Sequence, residues 1–340
     1  MTASGAPEPV ATPHPLLGQL PPEGVAVAAI DIGSNSIHLT LARVRPDGRI
    51  EFIARLKDPA RLAGALDADG HLDDAAIGRA VATLGRFRSL ADVHGAVVRA
   101  TATAALRAAR NADHFIARAA AEAGVEVVRI SGHLEARLTW LGVCHGLPQV
   151  AARPALAVDV GGGSTELVCG CGPDVRFSAT VPVGSLVATR RWLGALPVTP
   201  RHLRAARAAL AERLAPSLKV ARGTGYERAV ATSGSAQRIA RIARALETGN
   251  PNARDVHGMT LSTAAVRAVV ARLSAAGNPH ARLAVPGMDP ERADTLLAGA
   301  LIFEALADGL GIEAWTVSMS ALRTGLLIDT ARSAPARRPR

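Results

Sequence analysis

Aromatic side chains are scarce in this chain: five Phe, three Trp and one Tyr make up 3% of its 340 residues. Proteins that grip single-stranded nucleic acid by stacking bases need more such platforms, so the scarcity argues against a nucleic-acid partner. Lysine is scarcer still, with Lys57 and Lys219 alone. Three cysteines, Cys144, Cys169 and Cys171, agree with a reducing compartment, and the Cys-x-Cys pair lacks the further ligands of a zinc site. They read as free, partly buried thiols. No apolar run approaches the ~18 residues that a membrane helix needs, so no membrane partner is expected. Residues 1–24 hold Pro7, Pro9, Pro13, Pro15, Pro21 and Pro22 without the basic start and apolar centre of a signal peptide. They read as a disordered arm, and the expected location is cytoplasmic.

What the chain does have is arginine, which supplies nearly all of a net charge of +10. A basic balance predicts an anionic partner. The plainer reading is that a coding bias toward Arg and Ala decorates helix faces. The sharper one is a phosphate ligand, because guanidinium binds phosphate oxygens in pairs. With so few aromatics, a phosphate chain or a nucleotide suits better than a nucleic acid.

The stretch Ala155–Glu166, ALAVDVGGGSTE, carries the most chemistry. Its apolar run reads as a buried strand ending at Asp159. Gly161, Gly162 and Gly163 then make a tight turn whose backbone N–H groups no side chain shields, a concave anion site. Ser164 and Thr165 add hydroxyls. Asp159 and Glu166 add carboxylates, which would repel a phosphate unless a divalent cation lay between. A second copy, AVAAIDIGSNS, runs from Ala26 to Ser36, with Asp31 and Gly33 in the places of Asp159 and Gly161. Neither turn is a P-loop, since G-x-x-x-x-G-K-[ST] is missing, and Glu166 stands where G-x-G-x-x-G needs its third glycine. A strand is expected after each turn, so the phosphate would be held without a helix dipole.

Strands are expected at Val25–Asp31, Ser36–Val44 and Arg49–Lys57, the last two joined at Asp47–Gly48. A helix over about Asp73–Val93 follows from the apolar spacing of Ile77, Val81, Leu84 and Leu90. Strands at Ala96–Ala100 and Val125–Ile130 and a helix in Ser131–Gly146 complete the first half. The pattern restarts at Arg153: strand, glycine turn, strand at Thr165–Gly170, strand near Val175–Val181. Helices are expected at about Ser185–Trp192, Pro200–Ala221, Ser235–Leu246, Ser262–Ala276 and Pro290–Leu310, with strands at Glu227–Thr232 and Glu313–Ser318. The expectation is a duplicated α/β fold of two lobes, 25–150 and 151–331, around a cleft. Residues 332–340 form a basic tail.

In combination and order, VAAIDIGSNSIHL, TATAALRAARN, SGHLEARLTWLGV, AVDVGGGSTELV, VHGMTLS, DPERADTLLAGALI and VSMSALRTGLL resemble the exopolyphosphatase/guanosine pentaphosphate phosphohydrolase (Ppx/GppA) family. The resemblance runs from about Val25 to Ile328. It implies the two-lobed actin-like/sugar kinase/Hsp70 fold, with a ribonuclease H-like core in each lobe. It implies hydrolysis of a terminal phosphoanhydride of inorganic polyphosphate, or of guanosine pentaphosphate on the same site. A regulator that binds such ligands without turnover, and phosphoryl transfer from ATP, are the remaining alternatives; a homodimer stays open as the assembly.

Residue by residue, the resemblance makes Gly33, Ser34, Asn35 and Ser36, with Gly161, Gly162, Gly163, Ser164 and Thr165, the two phosphate-binding loops. Asp159, with Asp31 and Glu166, would hold Mg²⁺ or another divalent cation. Arg107 would neutralise phosphate, and Glu135 would be the base that activates water. Leu134 stands where members often have a glutamate, Ser233 replaces a glycine, and Ala321 and Thr324 depart from S-x-x-G-L-R-E-G. His38 is expected to make a structural hydrogen bond, and a metal role for His133 lacks a second histidine at ligand spacing. Arg238, Arg241 and Arg244, like Arg201, Arg204 and Arg207, recur every three residues. Such stripes read as solvated faces, with a path for polyphosphate as the sharper alternative.

Overall fold

The computed structural model describes residues 20–334 except Ala195 and Ala253. Most of the arm over 1–24 and of the tail over 332–340 therefore lies outside the described residues.

The first sheet grows from an antiparallel meander, β1 (Val25–Ile32), β2 (Ile37–Val44) and β3 (Ile50–Asp58). Strands β1 and β2 are nearly all Val, Ile, Leu and Ala because both of their faces are covered, whereas β3 is an exposed edge. Helix α1 (Asp74–Val93) starts where the Asp73 carboxylate accepts from the Ala76 N–H at 2.7 Å. Its Ile77, Val81 and Leu84 are buried, as their spacing predicts. Strand β4 (Val97–Ala102), short helix α2 (Ala104–Ala108), helix α3 (Ala112–Ala123) and strand β5 (Val127–Arg129) follow. Strands β4 and β5 add in parallel beyond β1, so the order is β3-β2-β1-β4-β5.

Helices α4 (Gly132–Gly146) and α5 (Pro148–Ala151) lead to a second meander, β6 (Ala155–Val160), β7 (Thr165–Cys171) and β8 (Asp174–Val181). Then come α6 (Ser185–Trp192), α7 (Pro200–Thr224), β9 (Arg228–Thr232), α8 (Ser233–Thr248), β10 (Thr260–Ser262), α9 (Thr263–Ala275), α10 (Pro279–Arg282), α11 (Leu296–Leu310), β11 (Ala314–Val317) and α12 (Leu322–Ser333). The second sheet runs β10-β11-β9-β6-β7-β8, with β9 parallel to both β6 and β11. Apart from edge strand β10 it repeats the first. The duplication is thus a repeat of topology and not only of a turn.

Differences from the expected elements have local causes. One helix was expected over Pro290–Leu310. Instead a 3₁₀ turn at Pro290–Arg292, tied by the Asp289 carboxylate accepting from the Glu291 N–H at 3.0 Å, precedes α11. Strand β10 is three residues long, too short to show alternation. Helix α12 was not expected, because its apolar residues show no single stripe.

Chain order and packing diverge at α12. It falls in the second half of the sequence, yet its Leu322, Leu326, Leu327, Ile328 and Ala331 pack with Val27, Ala29, Ala42 and Val44 of the first sheet and Leu138 of α4. Helices α4 and α12 touch backbone to backbone. A Cβ on Gly142 would lie 2.1 Å from the Ala321 carbonyl oxygen, and one on Gly325 would lie 1.8 Å from that of Leu138. Glycine is required at both crossings.

Candidate functional site

The two glycine turns have the same construction. Gly33 N–H donates to Ser36 O at 3.1 Å and Gly161 N–H to Ser164 O at 3.0 Å. Asp31 pairs across its hairpin with His38, and Asp159 with Glu166. The turns meet face to face: a Cβ on Gly163 would lie 2.5 Å from Ser34 Oγ, and one on Gly162 would lie 3.2 Å from Ser34 Cβ. Ser34 Oγ is buried with no hydrogen-bond partner. A buried hydroxyl without a partner is costly, and a ligand oxygen would satisfy it.

Around the turns lies a cavity of about 400 Å³ whose acidic lining residues are Asp31, Glu135 and Asp159. Gly33, Ser34, Asn35 and Ser36 line it from one side, and Gly161, Gly162, Gly163 and Ser164 from the other. Thr165 and Glu166 do not reach it. The Thr165 hydroxyl donates to Val183 O at 2.6 Å, and the buried Glu166 carboxylate accepts from Ser164 Oγ at 2.6 Å.

Glu135 sits in the first turn of α4, which the Ser131 hydroxyl caps by accepting from the Leu134 N–H at 3.2 Å. Arg107 lies behind it, off the cavity wall. Its guanidinium donates to Glu135 Oε2 at 2.5 Å, to Ser164 Oγ at 3.4 Å and to Ile130 O at 3.3 Å, with Glu166 Oε1 at 3.6 Å. One arginine thus ties the carboxylate of one lobe to the glycine turn of the other. Burial raises the Glu135 pKa above the ordinary carboxylate range, while the Arg107 charge and hydrogen bond pull it down. Burial, with the charges of Glu135 and Asp31, lifts Asp159 to about 7. Asp31 is likewise raised by burial, opposed by Arg323.

Two features differ from the expectation. The site was expected to lack helix dipoles, but α8 and α12 both begin on the cavity wall, at Ser233–Ser235 and Leu322–Thr324. The crossover topology does this: parallel strands end at the cleft, and the helices that follow start there. The stripe of Arg201, Arg204 and Arg207 is an exposed face, as expected; the other difference is the stripe of Arg238, Arg241 and Arg244, which is half-buried. Arg241 and Arg244 donate to the carbonyls of Arg254 and Asp255, at 3.3 and 2.6 Å, and Arg207 pairs with Glu304 at 2.7 Å. Of the two stripes only Arg238 lines the cavity, and it pairs with Asp289 at 2.5 Å.

His38 Nδ1 accepts from Arg323 Nη1 at 2.7 Å; burial and then the Arg323 charge push its pKa down to about 2, so it stays a neutral acceptor. His133 Nδ1 lies 2.7 Å from Ser178 Oγ, away from the cavity. Leu134 packs on the core that α12 completes. Ser233 takes a φ of +94°, which explains a glycine preference there; its hydroxyl compensates by accepting from the Ser235 and Ala236 N–H groups at 3.1 and 3.2 Å. Arg55, Arg292 and Arg323 on the wall were not singled out, although DPERAD and ALRTG both stood among the quoted motifs.

The comparisons with known proteins agree with this geometry. The model of the Ppx/GppA phosphatase family matches residues 40–334. Exopolyphosphatase 1 of Mycobacterium bovis is 32% identical over 305 residues, which cover 89% of this chain and 87% of the relative. The crystal structure of the Aquifex aeolicus family member superposes with a TM-score of 0.76 at 27% identity, covering 91% of this chain and 98% of the other. An exopolyphosphatase from Cytophaga hutchinsonii gives a TM-score of 0.81 at 26% identity, covering 91% and 99%. The repeated sheets around one cleft are the duplicated actin-like, ribonuclease H-like fold. By its sequence, its topology and the placing of its two glycine turns, the chain belongs to the Ppx/GppA phosphatase family.

Proposed function

We propose that the chain is an exopolyphosphatase, which hydrolyses the terminal phosphoanhydride of inorganic polyphosphate with Mg²⁺. The observation that carries this reading is the position of Glu135: a carboxylate of raised pKa on the cavity wall, held by Arg107 at 2.5 Å, beside two anion-binding turns. The turns bind the terminal phosphates through backbone N–H groups and the Ser34 hydroxyl. Glu135 accepts a proton from the water that attacks phosphorus, and the bond to the next bridging oxygen breaks, releasing orthophosphate. Arg107 keeps the base in its place.

Asp31 and Asp159 fit a divalent cation. Both are hard oxygen donors on the cavity wall; burial raises both pKa values, and the Glu135 and Asp31 charges raise that of Asp159 further. Glu166, turned toward Ser164 behind the loop, is placed to support Asp159 rather than to face the cavity. Mg²⁺ keeps much of its water and needs few protein carboxylates, so a pair of aspartates is enough to hold it. When bound, Mg²⁺ supplies charge stabilisation to the phosphoryl oxygens. Chelation should lower phosphate release on the order of 10²-fold or more, and added Mg²⁺ should restore it.

Guanosine pentaphosphate on the same site is the second reading, and the exposed Phe52 on the cavity wall is the observation in its favour. Release from long polyphosphate, short polyphosphate and guanosine pentaphosphate, measured in parallel with Mg²⁺, tests both. A higher kcat/KM for guanosine pentaphosphate would replace polyphosphate as the substrate. No release from any of the three would leave a ligand-binding regulator. The close approach of the turns adds a further expectation. Gly163→Ala forces Ser34 and Ala104 away from the loop, so kcat/KM should fall roughly 10²-fold, the effect of a shift of about 1 Å at such a site. Unchanged kinetics would mean that the turns do not work as a pair.

A further inference from the structure

Edge strand β3 faces the cavity through an irregular register. Arg55 lies opposite Thr40 and Lys57 opposite His38, and all four line the cavity. Between Leu41 and Ala42 the pairing slips: Ala54 lies opposite Leu41, Phe52 lies opposite Ala42, and Ile53 is left over. In a regular strand residues three apart point to opposite faces, but the extra residue of a bulge puts them on the same face. Phe52 therefore joins Arg55 on the cavity wall, and the guanidinium carbon sits 3.6 Å from the centre of the ring. The ring is 48% exposed, which a folded chain tolerates readily where the ring has a task.

Of the cavity cations, Arg55 and Arg292 form no side-chain ion pair or hydrogen bond among the described residues, and of these two only Arg292 feels nearby carboxylates, Asp289 and Asp294. Lys57 pairs with Glu291, Arg238 with Asp289, and Arg323 with His38. Among the described residues no hydrogen-bond acceptor or carboxylate meets the Arg55 guanidinium, whose contact is the Phe52 ring. The ring covers one face of the guanidinium and leaves its N–H edge free for a paired bond to phosphate oxygens. It also restricts a long side chain in advance, which lowers the entropy lost on binding. Phe52 belongs to the row beyond Arg55, counted from the first glycine turn, so the stack draws the guanidinium away from that turn. From Ser36 to Thr40 the strand already advances about 13 Å.

We propose that Arg55, held flat on Phe52 by the β3 bulge, is a distal holding point for the phosphate chain and sets a preference for long substrates. The proposal rests on the polyphosphate reading given above. Substrates whose three phosphates fill the two glycine turns do not reach Arg55; longer chains do. Arg55 is thus a specificity residue remote from the scissile bond, and Phe52 is its positioning residue.

The test compares KM and kcat for tripolyphosphate and for long-chain polyphosphate. Arg55→Ala should raise KM for the long chain about tenfold, the worth of one charge-assisted hydrogen bond, with kcat within about twofold. KM for tripolyphosphate should change less than about twofold. Arg55→Lys should recover part of the loss. Phe52→Leu should raise the long-chain KM about threefold and Phe52→Tyr should restore it, because the ring and not mere bulk orients the guanidinium. Equal KM changes for both chain lengths, or none, would overturn the proposal. So would a Phe52→Leu effect confined to guanosine pentaphosphate, which would make the ring a base platform. Fluorescence anisotropy with end-labelled long polyphosphate separates this result from the hydrolase reading. If the wild-type protein releases no phosphate, a roughly tenfold weaker binding by Arg55→Ala still upholds the holding point, and equal binding removes it.

Discussion

Glu135→Gln should lower kcat for phosphate release by roughly 10²–10⁴-fold, the usual worth of a positioned general base, while KM changes by no more than a few-fold. Glutamine keeps the length and shape of the side chain and can still accept from Arg107 through its amide oxygen, so the site should stay folded. What it cannot do is take a proton from water. Burial that raises the Glu135 pKa makes the native carboxylate a better proton acceptor than an exposed one. Single-turnover measurement would place the loss in the chemical step. Release that persists undiminished in the variant would remove Glu135 from its role as the base.

Arg107→Ala should cost on the order of 10²–10³-fold in kcat, similar to the loss of a preorganised charged donor. The geometry gives a sharper expectation than magnitude alone. In the structure this guanidinium bonds to Glu135 and Ser164 and stands 3.6 Å from Glu166; it is not on the cavity wall. Its removal leaves two buried carboxylates with no cation between them, a state that favours protonation of one of them. The base would be lost by neutralisation, so kcat should fall while KM moves little. Lysine, a single point charge, cannot span the same partners, and Arg107→Lys should recover only a small part. A large rise in KM at constant kcat would instead assign Arg107 to direct phosphate binding.

The glycine turns and the strands around them were legible in the sequence because their signals are local. A buried apolar run, an acid and a glycine cluster occupy a dozen consecutive residues, and the same pattern recurs at Asp31. Glu135 became legible only through the surrounding motif, since a glutamate at a helix start is commonplace. The roles of Thr165 and Glu166 could not be separated from that of Ser164 by sequence. The turn leaves Ser164 on the cavity wall, and β7 begins one residue later with the Thr165 hydroxyl turned to Val183 O. Partners distant in the chain were hidden altogether. The stripe Arg238, Arg241, Arg244 has one period, yet its members go to Asp289 and to two different backbone carbonyls. The β3 bulge was hidden as well, because one slipped residue at Ile53 reverses which side chains share a face.

Helix α12 has a consequence for how the molecule is made. Synthesis delivers the first sheet early, but the residues that cover Val27, Ala29, Ala42 and Val44 are made only after the whole of the second sheet. Until they arrive, an apolar face of the first lobe stays open in the nascent chain, while the second lobe can bury its own, separate core. Closing the first lobe therefore waits for the second to be made. Because α12 starts at the cavity wall with Arg323, its docking also delivers a cation of the site, and a chain without α12 would have two glycine turns but no finished place to work.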